Sequence, residues 1–337
     1  MSGGPSWHVP LLAAMSVAVP LWWGVCSGNP ADGMLSATGS MAILYLPSSE
    51  FARRERLRRM ATCALGFVVS FALGALGTFH PAAAVLALGL VTFRAAWFCR
   101  RFAIAPPASF FFVVTAAIAG NMIFDIHALP TKVAIVAAGA ACSFLIALIY
   151  CLASGGRKTD ALKVAGGDGN RAAVMVESAV IAASVMVSLL AAQLLELENP
   201  YWVPISCIAI LQGGTFRAVW HRNVHRIVGS AVGMGISWFL FPPSMSPGAL
   251  AALVIVLVMV VEFLVPRHYG LAVVFITPLT VCFAEIASGG APFRELLWAR
   301  LQDITLGSLI GAAGGWVLHH PQWCRRAEGL LKRLPGI

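Results

Sequence analysis

Apolar segments follow one another along the whole chain, separated by short clusters of charged and turn-forming residues. Most of them approach the roughly 20 residues that a helix needs to cross a bilayer. The pattern therefore predicts an all-α fold, a polytopic transmembrane helical bundle of about twelve helices. The predicted segments are 7–26, 31–47, 60–79, 82–98, 104–124 and 131–153 in the first half, and 173–195, 200–213, 225–241, 247–265, 269–287 and 297–318 in the second.

The loops between these segments alternate between basic and nearly uncharged. Because cytoplasmic loops carry the excess of Lys and Arg, the alternation predicts that both termini are cytoplasmic. The loops without basic clusters hold almost no Lys or Arg before Arg294. The clusters of Lys and Arg fall at 53–59, 100–101, 157–171, 217–226, 267–268 and 325–333.

Composition agrees with a chain whose solvent is lipid. Only 11% of its residues are charged and 59% are hydrophobic, whereas a soluble domain carries about 25% charged residues. A net charge of +9 would suit nucleic acid, but the basic residues serve as topology signals, so no nucleic-acid partner is expected. No Walker motif occurs and no cofactor is expected. His221 and His225 have zinc-like spacing, but cations flank them and no Glu lies between them, so no metal site is predicted.

The chain contains an internal repeat. Asn29-Pro30 and Asn199-Pro200 each open a short apolar segment, 170 residues apart, and the helices that follow share the pattern Arg-x-x-small-x-x-x-Gly. Each copy has six spans, an even number, so the two copies are predicted to be parallel repeats. The predicted division is repeat 1 at 1–153, a cytoplasmic linker at 154–172, repeat 2 at 173–318 and a basic cytoplasmic tail at 319–337.

The second span of each copy is short for a bilayer crossing. Residues 200–211 offer about a dozen apolar positions before Gln212, and the matching segment 32–46 is interrupted by Gly33 and Gly39. Short or interrupted segments at matching positions of two halves indicate a transporter's binding site, because broken helices free backbone donors and acceptors. The alternative is a short helix that is simply buried in the bundle.

Several motifs of the second half form a set by their order and spacing. They are Tyr201-Trp202-Val203-Pro204, Gln212, Arg217, Arg226-x-x-Gly229-x-x-x-Gly233 and Arg300-Leu-Gln-Asp303-Ile-Thr305-Leu-Gly307. This set resembles the FUSC family, which comprises fusaric-acid-resistance and aromatic-acid-exporter-like inner-membrane proteins of bacteria. The resemblance implies efflux of aromatic carboxylic acids or related organic anions across the bacterial inner membrane. Plant aluminium-activated malate channels are similar in their membrane part.

The first copy departs from these motifs. Ala31-Asp32 stands where the second copy has Tyr201-Trp202, and the last span of the first copy, 131–152, is predicted to lack any equivalent of Arg300 and Asp303. A site built symmetrically from both copies is therefore not expected.

Arg300 and Asp303 are the main candidate residues, because ionisable side chains at membrane depth are costly. Their spacing of three residues places them on one helix face. The planar fork of Arg300 could hold a substrate carboxylate, and Asp303 could be the proton-coupling group. The alternative is a structural ion pair.

Four further residues are candidates for substrate binding. Tyr201 and Trp202 could stack an aromatic ligand, although aromatic residues near an interface often form a belt. Asp32 could line the substrate path or interact with the helix dipole. Gln212 could hydrogen-bond across helices.

These features predict a secondary, proton-coupled exporter of aromatic or other small organic acids, and not an enzyme. A passive organic-anion channel of the malate-channel type is the main alternative. The predicted partners are a small organic anion and the lipid bilayer, while homo-oligomerisation and a periplasmic adaptor stay open.

Overall fold

The chain is helical throughout the part that the structure describes. A computed structural model covers residues 7–47, 51–104, 106–154, 171–240, 245–288, 293–320 and 322, with backbone alone at 240, 284–288 and 293–297. The all-α prediction is confirmed. Most of the predicted linker and tail lie outside the described residues. The helices are α1 (His8–Cys26), α2 (Pro30–Ser40), α3 (Arg53–Leu76), α4 (Pro81–Arg101), α5 (Phe110–Ala119), α6 (Leu129–Ala153), α7 (Arg171–Leu194), α8 (Trp202–Leu211), α9 (Phe216–Leu240), α10 (Pro247–Leu264), α11 (Tyr269–Ser288) and α12 (Phe293–His319).

Six of the described helices are long and apolar enough to cross a membrane, namely α1, α3, α4, α6, α7 and α10. Residues at the N-termini of several helices explain why these helices begin there. Proline opens α2, α4 and α10, where a missing N–H costs nothing. The side chains of His80 and Ser246 accept hydrogen bonds from the backbone N–H groups of Ala82 and Ala249. The prediction of a polytopic membrane protein is confirmed.

Three segments differ from the sequence prediction. Helices α3 and α9 begin at Arg53 and Phe216, about two turns earlier than predicted, because the basic clusters taken as loops are helical. Arginine is a good helix former, and Glu55 further pairs with Arg58 and Arg59 at 3.0 and 2.7 Å. Helix α5 has only ten residues, since Pro106-Pro107 and Gly120 bracket it.

The chain divides into two compact units, and each combines helices from both sequence halves. In unit 1, α1 packs on α2, α6 and α10, and α11 packs on α2 and α10. In unit 2, α7 packs on α4 and α8, and α5 packs on α4 and α8. Helices α3, α9 and α12 are divided between the units after residues 68, 223 and 301. Each of these four pairs of unit 2 has a counterpart in unit 1, in which every helix is replaced by the matching helix of the other half.

The buried positions recur in the same way. Residues buried on α1 return 168 residues later on α7, and those on α4 return 166 residues later on α10. Lipid tails are as apolar as these side chains, so close packing rather than removal from water stabilises each unit. The recurring residues include Ala13, Val17 and Leu21 with Ile181, Val185 and Leu189, and Val85, Leu88 and Val91 with Ala251, Val254 and Leu257. The predicted domain boundaries and the parallel orientation of the copies stay predictions.

The two short second helices are buried within the units. All ten residues of α8 are buried, as are residues 33–40 of α2. A ten-residue helix is about 15 Å long, roughly half the thickness of the hydrocarbon core. Small residues permit the close packing. A Cβ on Gly24 of α1 would lie 2.6 Å from the Cα of Gly33 on α2. Each unit therefore holds a half-length helix surrounded by protein.

Candidate substrate site

The site of the second copy is set by how α12 packs on α8. A Cβ added to Gly307 would lie 2.7 Å from the Cβ of Ser206, and one added to Gly311 would lie 2.9 Å from the carbonyl oxygen of Cys207. The two helices thus run in the same direction, with backbones too close for larger residues. Asp303 lies one turn before Gly307 on α12. Because the two helices run in the same direction, Asp303 is level with the first turn of α8.

Arg300 and Asp303 are both buried on α12, with exposed fractions of 4% and 1%. Among the side chains that the structure describes, Asp303 is the one acidic group that is fully buried. By helical spacing, both residues share a face with Gly307 and Gly311. Burial of opposite charges at this depth requires compensation by protein, water or a ligand.

Tyr201 and Trp202 lie at the start of α8. Their rings are 4.7 Å apart between centroids and inclined by 32°. Trp202 is buried in the core of unit 2, which is not the position of a lipid-facing belt residue. Tyr201 is half-buried, and its side chain packs against that core. Of the two rings, only that of Tyr201 has surface left for a ligand.

The remaining two candidates lie elsewhere. Gln212 follows the last residue of α8, so it is about 15 Å from Trp202 along the helix axis. Asp32 is half-buried in the first turn of α2, within unit 1. The alignment of α12 on α8 therefore puts Asp303 level with Tyr201 and Trp202 in unit 2, whereas Arg300 belongs to unit 1. It does not bring Gln212 to that end of α8.

Two polar contacts at the far end of α8 were not predicted. The guanidinium of Arg222 donates to the carbonyl oxygen of Ala209 at 3.4 Å. Nε2 of His319 lies 3.3 Å from the carbonyl oxygen of Gly213. A cation here stabilises the negative end of a helix and its last carbonyls. Arg222 falls in the basic cluster at 217–226 that was predicted to be a cytoplasmic loop, but a cation shortly after a buried apolar helix is itself a sign of such a cap.

The sequence predicted no equivalent of Arg300 in the last helix of the first copy, but the packing of α6 offers Lys132 as a candidate. A Cβ on Gly139 of α6 would clash with the carbonyl oxygen of Ser36 on α2, just as Gly307 meets Ser206. With these glycines equivalent, Lys132 occupies the position of Arg300, seven residues before the glycine. A lone Lys at the start of an otherwise uncharged helix was the signal available in the sequence.

The geometry defines a multi-pass helical membrane protein with two buried, oppositely charged side chains on a helix that packs on a half-length helix. Residues 185–314 match the family described as fusaric acid resistance protein-like, so the resemblance noted for the second half is confirmed. This segment includes α8 to α11 as well as Arg300 and Asp303.

One relative is similar over part of the chain. It is described as the uncharacterized membrane protein YvaC of Bacillus subtilis (strain 168), and it is 32% identical over 139 residues. The aligned segment covers 41% of this chain and 21% of the relative, so the chain matches about a fifth of that protein's length. No solved structure matches the chain.

Proposed function

We propose that the protein is a secondary transporter that exports aromatic or other small organic acids in exchange for protons. The observation that carries the proposal is the burial of Arg300 and Asp303 one turn apart on α12, the helix packed against the half-length α8. Ionisable residues within transmembrane segments usually mark substrate or proton pathways. The match to the fusaric acid resistance protein-like family supports an organic-acid substrate.

Arg300 has the role of holding the substrate carboxylate. A guanidinium offers two parallel N–H groups that match the two oxygens of a carboxylate, and its charge persists at any physiological pH. Tyr201, at the start of α8, offers an aromatic surface at the level of Asp303 and could contact the ring of an aromatic acid.

Asp303 has the role of carrying the proton. A carboxyl group is acidic enough to release its proton to the cytoplasm and can take one up where burial disfavours its charge. Because Arg300 and Asp303 share one helix face, the protein would carry the two ligands alternately, the acid outward on Arg300 and the proton inward on Asp303.

The proposal is tested by counterflow in proteoliposomes. Vesicles preloaded with unlabelled 4-hydroxybenzoate should transiently accumulate the radiolabelled acid, while protein-free vesicles give the background of passive permeation. Arg300→Lys keeps the charge but loses the fork, so we expect the half-saturating concentration to rise about tenfold. Absence of counterflow across a panel of aromatic and aliphatic carboxylates would refute the proposal.

Two other outcomes identify the alternatives. A passive channel would conduct the anion with no accompanying proton flux. A purely structural ion pair would be revealed if both single variants lose folded protein, at a cost of about 3–5 kcal/mol, and an apolar replacement of both residues restores it. A double-mutant cycle on protein stability measures that coupling.

A further inference from the structure

In each copy the last helix packs on the short second helix, α6 on α2 in unit 1 and α12 on α8 in unit 2. Ser36 and Ser206 each lie six residues after the proline of an Asn-Pro pair. Each serine meets a glycine of the last helix of its copy, Gly139 or Gly307. These two contacts align α6 with α12, with Gly139 at the position of Gly307.

This register places a cation at the same point in both copies. Lys132 precedes Gly139 by seven residues, and Arg300 precedes Gly307 by seven residues. The two cations are therefore two helical turns before the crossing with the short helix, on the same helix face as the glycine. Lys132 is half-buried, and no other charged residue lies on α6.

Each copy also contributes one acid, but from a different helix. Asp303 precedes Gly307 by four residues, whereas the matching residue of α6 is Ile135. In the first copy the acid is Asp32, in the first turn of α2 and four residues before Ser36. Each copy thus has one cation and one carboxylate that come earlier in the chain than the serine or glycine of their own helix at the crossing.

The charges of the first copy are not neutralised by neighbours. Among the residues that the structure describes, neither Asp32 nor Lys132 forms an ion pair or a side-chain hydrogen bond. Both lie in unit 1, on two helices that pack against each other. A half-buried cation at the edge of the membrane, with no protein anion on it, is available to an anionic ligand.

We propose that Lys132 forms a second carboxylate-binding site, in the copy whose acid is Asp32. The inference rests on the proposed function and extends it from one site to two. The site takes the same class of small organic acid as Arg300. It binds more weakly, because an ammonium is a point charge without the two-pronged geometry of a guanidinium. The two copies would then offer a substrate two sites of unequal affinity.

The test is the stoichiometry of benzoate binding to the purified, detergent-solubilised full chain. Radiolabelled benzoate that excess unlabelled benzoate displaces should fit two sites in the unaltered protein. Lys132→Met should remove the weaker site and Arg300→Met the tighter one. Lys132→Arg should fold and bind at the weaker site about three- to tenfold more tightly, because it restores the fork. Arg94→Met, which removes one exposed cation from α4, is the matched control and should leave both sites.

The outcomes separate the two proposals. Binding at a single site that Arg300→Met abolishes and neither Lys132 variant changes would overturn the second site and leave the transport proposal standing. No displaceable binding in the unaltered protein, together with absent counterflow, would overturn both. Should Lys132→Met yield no folded protein, an unchanged binding curve for Lys132→Arg suffices to reject the second site.

Discussion

The two half-length helices have matching places in the two units but differ in chemistry. Helix α8 is apolar, with Ser206 as its one hydroxyl side chain, and its last carbonyls are capped by Arg222. Helix α2 buries several hydroxyl groups, among them Thr38 and Ser40, and continues into a 3-10 turn at Met41–Tyr45. The acid lies on the short helix in unit 1 and on the last helix in unit 2.

The difference shows which property of the repeat is constrained. The buried faces and one crossing glycine, Gly139 or Gly307, recur in both copies, whereas charged groups have moved or vanished. Arg100 and Glu177 join α4 and α7 of unit 2 at 2.6 Å, while Val9 and Pro266 stand at the matching positions of unit 1. Closely packed positions between helices tolerate little change in side-chain size. A charged residue can change its position as long as another group compensates its charge.

The largest expected contrast in stability is between the matching positions Trp202 and Asp32. Trp202→Ala should lower the free energy of unfolding by about 3–5 kcal/mol, because it opens a cavity in the core of unit 2. Asp32→Ala should change it by less than about 0.5 kcal/mol, because the half-buried carboxylate has no ion pair. Thermal unfolding of the purified variants in one detergent compares the two. Equal losses would show that Asp32 is as structural as Trp202.

The next contrast tests whether the two helix crossings are equivalent. Gly139→Val and Gly307→Val should each cost about 1–3 kcal/mol or more, because a side chain at either position meets the backbone of the short helix. Gly235→Ala on α9 is the matched control, since a Cβ there meets nothing within 4 Å. The yield of monodisperse protein on size-exclusion chromatography gives the comparison. A tolerated valine at one crossing alone would break the equivalence.

Sequence patterns predicted the positions of the helices better than they predicted which helices pack against each other. The apolar runs predicted all twelve helices and both short second spans, because hydrophobicity and turn residues are local signals. The pattern did not reveal that α1 packs on α10 and α7 on α4, since a buried face does not indicate which helix covers it. The helical starts of α3 and α9 were missed because arginine clusters suit both cytoplasmic loops and helix ends.

The candidate site shows the same limit. Arg300 and Asp303 could be predicted because charges within an apolar span are conspicuous, and their burial agrees with that choice. Lys132 was missed because it lies in the first turn of α6, where a basic residue has ordinary explanations. Only the contacts of Gly139 and Gly307 established its correspondence to Arg300.

The central claim is that Asp303 couples proton movement to organic-acid export, and Asp303→Asn tests it most directly. The amide keeps the shape of the carboxyl group and cannot titrate. In proteoliposomes with an imposed pH gradient, the unaltered protein should accumulate 4-hydroxybenzoate above the level of Asp303→Asn vesicles, which serve as the matched background for passive permeation. The variant should still exchange the acid down its own gradient. If folded Asp303→Asn protein accumulates the acid as the unaltered protein does, Asp303 does not carry the proton, and the account is contradicted.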